Sequence, residues 1–67
     1  MKTRLEREIE IMINLTASIY GGKDTKQIND FLQGQYKDFR NYWIGKVGED
    51  MFGETWNRIN REIKNNR

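Results

Sequence analysis

The acidic side chains are the first candidates for chemistry in this sequence. Glu6 with Glu10, and Glu49 with Asp50, are close enough along the chain to be considered as acid/base pairs. Catalytic carboxylates need a pocket that separates their pKa values, and short helices of the kind predicted below enclose little volume. We therefore expect no enzymatic activity and no small-molecule substrate.

Metal and cofactor sites are also disfavoured by the residue types present. The chain of 67 residues contains no Cys and no His, which excludes disulfides, Cys/His zinc sites and Cys or His nucleophiles. Glu49 and Asp50 are not followed by the spaced acids of a calcium loop. No glycine precedes the Lys-Ser/Thr pair of a phosphate-binding loop. We expect neither a metal nor a cofactor.

Length and charge limit the size of the fold and the class of partner. A chain of 67 residues forms one domain, here 1–67, and buries only about 60% of the surface that its unfolded form exposes. The net charge is +2 although 33% of the residues are charged, so no global field favours nucleic acid or anionic lipid. The charged N-terminus does not resemble a signal peptide, and the longest uncharged run, Ile11 to Gly22, is too short to cross a membrane. We expect a cytoplasmic protein, complete from Met1, that does not enter a membrane.

Hydrophobic periodicity predicts three amphipathic helices over residues 3–20, 25–44 and 50–65. The apolar stripe of the first helix is formed by Leu5, Ile9, Met12, Ile13, Thr16, Ile19 and Tyr20. Gly21 and Gly22 follow it, and a glycine at this place usually closes a helix in the left-handed conformation.

The second helix is predicted to begin at a capping box formed by Asp24 and Gln27. Gly34 lies opposite its apolar stripe, where a missing side chain costs no packing, so we favour one continuous helix. A kink or break at Gly34 is the alternative. The stripe comprises Ile28, Leu32, Phe39 and Trp43.

The third helix is predicted to follow a turn that Gly45 and Gly48 bracket. Its acids lie at the start and its bases at the end, which complements the helix dipole. Its apolar stripe comprises Phe52, Trp56, Ile59 and Ile63. The whole pattern predicts an all-α fold, either a small three-helix bundle or an orthogonal three-helix domain. The aromatic residues around the turn, among them Trp43 and Phe52, are expected to belong to the core.

Several apolar residues fall outside these stripes and predict a protein-binding surface. Ile11, Ile44 and Met51 point away from the predicted core, and Tyr36 and Tyr42 lie near the edge of the same surface. We hypothesise a non-catalytic binding protein that docks on a copy of itself or on a larger target as a regulator, inhibitor or adaptor. Compact chains of this kind are typical of phage and mobile-element proteins.

The alternative hypothesis is nucleic-acid binding by the basic third helix. Arginine and asparagine on one helix face can contact phosphates and base edges in a major groove. The candidate residues are Asn57, Arg58, Arg61, Lys64 and Asn65. The same residues are also explained as a solvent-exposed helix end whose positive charges complement the helix dipole. The low net charge of the chain favours that explanation.

Overall fold

The computed structural model describes residues 2–22 and 24–66 and confirms the all-α fold. Four helical segments follow one another: α1 (Arg4–Gly21), α2 (Thr25–Gln33), α3 (Gln35–Val47) and α4 (Glu49–Asn65). Within the described residues there is no strand. The segments α2 and α3 correspond to the second helix of the predicted three-helix fold, interrupted at Gly34.

The first helix begins at a capping box that the periodicity did not reveal. The Thr3 side chain accepts a hydrogen bond from the Glu6 backbone N–H at 3.2 Å, and the Glu6 carboxylate accepts one from the Thr3 backbone N–H at 2.9 Å. Two of the free donors at the helix start are thereby satisfied. The other end differs from the expectation, since Gly22 closes α1 with φ of −73° in the right-handed region.

The second predicted helix is interrupted at Gly34, which corrects the preference for a continuous helix. The Asp24 carboxylate makes its half of the predicted capping box, accepting hydrogen bonds from the backbone N–H groups of Lys26 and Gln27 at 3.0 and 3.2 Å. Gly34 then adopts φ −112° and ψ −87°, far from helical values of about −63° and −42°. The Gly34 N–H donates a hydrogen bond to the Asp30 carbonyl at the end of α2, and the Gly34 carbonyl accepts one from the Asp38 N–H at the start of α3.

The turn between α3 and α4 is shorter than predicted. α3 continues through Gly45 to Val47, so Gly45 lies inside a helix and Gly48 alone makes the reversal. Gly48 has φ of +90°, the one positive φ among the glycines of the described ranges, and such a conformation favours glycine. The tight reversal holds the end of α3 beside the first turn of α4.

The core lies where α1, α3 and α4 meet. Ile9 and Ile59 are fully buried at its centre. Around them lie Leu5, Ile13, Trp43 and Phe52, with Phe39, Ile44, Trp56 and Ile63 packed against this cluster from partly exposed positions. The predicted stripes of the first and third helices are therefore correct in their central residues. In α2 the buried residue is Phe31, which flanks the predicted stripe, whereas Ile28 and Leu32 are only half-buried.

A chain of aromatic contacts joins α2, α3 and α4. Tyr36 lies between Phe31, at 6.1 Å between ring centroids, and Trp56, at 5.5 Å in an edge-to-face arrangement. Phe52 continues the chain from Trp56, at 5.9 Å, to Phe39, at 6.0 Å. Edge-to-face pairs add about 0.5–1.5 kcal/mol beyond the area they bury. The aromatic residues around the turn thus belong mostly to the core.

Candidate docking groove

An open groove of about 310 Å³ lies where the first turns of α1 and α4 meet the end of α3. Its apolar lining is formed by Leu5, Val47 and Met51. Leu5 is buried beneath the groove, whereas Met51 is 52% exposed and Val47 is partly exposed beside it. The groove therefore presents apolar surface to solvent at one end of the molecule.

The polar wall of the groove is an ion pair that connects α1 to α4. Arg58 donates a hydrogen bond to the Glu6 carboxylate at 2.8 Å and lies 3.8 Å from Glu62. The backbone N–H of Thr3, the Arg58 guanidinium and the Thr3 hydroxyl together lower the pKa of Glu6 to about 2. Thr3, Thr55 and the Glu6–Arg58 pair complete the lining. The pair links the first turn of α1 to the middle of α4.

We expect the Glu6 carboxylate, held by the Thr3 backbone N–H and by Arg58, to make stability depend on pH in the acid range. Because the folded pKa of Glu6 is about 2 and that of an unfolded glutamate is about 4.3, its stabilisation is complete above about pH 5 and is lost as pH falls towards 2. Glu6→Gln should lower the urea midpoint at pH 7 and flatten its fall between pH 5 and 2. Urea unfolding followed by circular dichroism measures both effects.

The matched control for this prediction is Glu54→Gln, at an exposed position on α4. It removes one carboxylate from the same protein and should leave the slope between pH 5 and 2 close to that of the unchanged chain. Equal slopes for Glu6→Gln and the unchanged chain would show that the Glu6 carboxylate does not stabilise the folded state.

Acidic side chains border the groove on the side of α4. Glu49, Asp50 and Glu54 lie with Val47 and Met51 around an adjoining open depression. Glu49 lies 3.5 Å from Arg40 in an exposed ion pair, which is weak in water. We call Glu49, Asp50 and Glu54 the acidic rim. It gives the apolar groove a negative border.

The predicted protein-binding residues do not form one surface. Met51 lies in the groove, and Ile11, 66% exposed, and Tyr42 are on the outside as expected. Ile44 is a correction, since it is half-buried and packs against the core. Tyr36 is a second correction, because its ring is held between Phe31 and Trp56. Tyr42 contacts its neighbour Trp43 edge-to-face and lies under the Lys46 ammonium.

The residues of the nucleic-acid alternative are exposed on α4, but they do not form an uninterrupted cationic face. Arg58 is held by Glu6 and Glu62 in the wall of the groove. The other four, Asn57, Arg61, Lys64 and Asn65, are exposed. Nucleic-acid binding stays a prediction.

Three features of the site were missed by the periodicity of the sequence. Val47 was placed in a turn, whereas it ends α3 and lines the groove. The Thr3–Glu6 capping box has a recognisable local pattern, a threonine followed three residues later by a glutamate. The contact of Glu6 with Arg58 has no such signal, because the two residues are 52 positions apart.

Three of the four carboxylates considered for catalysis are engaged in ion pairs on the surface. Glu6 pairs with Arg58, Glu10 with Lys2, and Glu49 with Arg40. In residues 2–22 and 24–66 no three acidic side chains come together in a way that could hold a metal ion. None of the helices in these two ranges is long and apolar enough to cross a membrane.

Comparison of the chain with protein families, curated proteins and solved structures gives no match. The groove, its polar wall and its acidic rim are therefore the basis for a functional proposal.

Proposed function

We propose that this protein works by docking on another protein chain through the groove between α1, α3 and α4. The observation that carries the proposal is the exposure of Met51 and Val47 at a groove whose floor is Leu5. Water-exposed apolar surface bordered by polar groups is typical of a protein-binding site. Docking allows so small a chain to act as a regulator, inhibitor or adaptor of its partner.

The dimensions of the chain support association. Its accessible surface is 5060 Å², whereas a compact monomer of 8.1 kDa exposes about 4,500 Å². Its Cα radius of gyration is 12.3 Å, against about 11 Å for a globular chain of this length. The molecule is also flat, with extents of 33, 30 and 16 Å. It therefore leaves more surface in water than a compact fold of this length.

The form of the groove favours a protein segment over a small ligand. Small-molecule sites bury most of the ligand in a concave cavity. This groove is open to solvent and runs between helix ends, and the Glu6–Arg58 ion pair forms one wall. Such a shape suits the apolar side chains of a helix laid along it.

Photo-crosslinking from the groove tests the proposal directly. Met51 is replaced by p-benzoylphenylalanine, which keeps an apolar group at this position, and the purified chain and a cell extract containing it are irradiated. Adducts are expected from position 51, either at twice the chain mass or at the mass of another protein. The products are identified by mass spectrometry.

The same photoreactive residue at Lys26, an exposed position on α2, is the matched control. We expect this variant to form few adducts at equal concentration. Absence of adducts from position 51, or equal yields from positions 51 and 26, would contradict docking at the groove.

A further inference from the structure

The outer face of α1 has the chemistry that complements the groove. Ile11 is exposed there, and Leu15 lies one turn further along the same face, half-buried. Arg7 and Arg4 lie one and two turns before Ile11 and are exposed, because residues three, four or seven apart share a helix face. Arg4 pairs at 3.4 Å with Glu8, which lies on the same face one turn later, so two arginines and one glutamate leave the face with a net positive charge. We call Arg4, Arg7, Ile11 and Leu15 the basic face.

The negative charge of the acidic rim favours a positively charged surface as the binding partner of the groove. Two grooves placed against each other would bring two acidic rims together, and like charges at an interface oppose association. The basic face brings arginines towards Glu49, Asp50 and Glu54 while its isoleucine and leucine supply the apolar contact. Helix-in-groove recognition uses apolar anchors at this i, i+4 spacing.

We propose that the partner at the groove is a second copy of this chain, which inserts the basic face of its α1. The proposal rests on the function proposed above and specifies the partner. Ile11 and Leu15 of one copy contact Leu5, Val47 and Met51 of the next. Arg4 and Arg7 lie along the acidic rim.

The contact joins two different surfaces, so it can be tested by complementation. Met51→Arg destroys the groove and repels the arginines of the basic face, but leaves Ile11 intact. Ile11→Glu destroys the basic face and repels the acidic rim, but leaves the groove intact. Each variant alone should be monomeric by sedimentation at concentrations where the unchanged chain associates. An equimolar mixture should recover a 1:1 complex, because each variant supplies the surface that the other lacks.

Both substitutions are at exposed positions, and circular dichroism should show unchanged helicity. Tyr20→Glu, which replaces another exposed large side chain on α1, is the control and should associate like the unchanged chain. The proposal is overturned if the unchanged chain associates but the mixture stays monomeric, or if the unchanged chain is monomeric at every concentration. If the unchanged chain is monomeric, crosslinks from position 51 to another protein still support docking at the groove. Absence of such crosslinks would then contradict both proposals.

Discussion

Ile9→Ala is expected to lower the free energy of unfolding by about 2–5 kcal/mol, the range for truncating a fully buried isoleucine. Ile9 has no exposed surface and lies in the cluster where α1, α3 and α4 meet. A chain of this length has only about 3–10 kcal/mol of stability in total. The substitution therefore removes a large fraction of it. Urea unfolding monitored by circular dichroism and tryptophan fluorescence measures the loss.

Ile11→Ala is the matched control for Ile9→Ala. It removes the same atoms from the same helix two residues further on, where the side chain is 66% exposed. Substitutions at such surface positions usually change stability by less than about 0.5 kcal/mol. The measurements are made at low protein concentration, where self-association does not contribute. Equal losses for the two variants would mean that α1 is rotated about its axis relative to the packing described above.

This pair of isoleucines shows what the sequence alone predicts well. Leu5, Ile9 and Ile13 recur at helical spacing, and the periodicity placed them inside and Ile11 outside. The same pattern identified Phe52 and Ile59 in α4, and these positions are buried as predicted. An amphipathic stripe is a property of one helix, so no knowledge of its neighbours is needed.

Residues near the junctions were predicted less well because their positions depend on the neighbouring helices. Ile44 is off the stripe of its own helix, yet it packs against the core. Tyr36 is held in place by Trp56, which is 20 residues away in the sequence. Neither contact has a periodic signal. The break at Gly34 was likewise not determined by the local pattern, which allowed both a continuous and an interrupted helix.

The groove could be predicted only in part for the same reason. Met51 was identified as an apolar residue outside the stripe, which is a local observation. Its neighbours in the groove come from the start of α1 and the end of α3, and the Glu6–Arg58 pair joins the two ends of the chain. A groove between three elements requires their tertiary arrangement. The chemistry of its border, acidic on α4 and complementary to the basic face, is nevertheless present in the sequence.

Gly48→Ala is expected to destabilise the protein by about 1–3 kcal/mol, the usual cost of a side chain in a backbone region that only glycine occupies readily. Gly48 has φ of +90° and ψ of 157°, and a Cβ there would meet no atom beyond its two chain neighbours within 4 Å. The cost therefore comes from the backbone and not from a steric clash with neighbours. Thermal and urea unfolding measure the loss.

The control is Gly45→Ala, three residues earlier. Gly45 lies inside α3, its added Cβ also meets nothing within 4 Å, and alanine is favoured over glycine in a helix by about 1 kcal/mol. The two identical substitutions should therefore have opposite signs, destabilising at Gly48 and stabilising at Gly45. Stabilisation by Gly48→Ala would contradict a glycine-dependent reversal between α3 and α4. Because that reversal places Val47 beside Met51, strain at Gly48 should also weaken docking at the groove, whereas Gly45→Ala should leave docking unchanged.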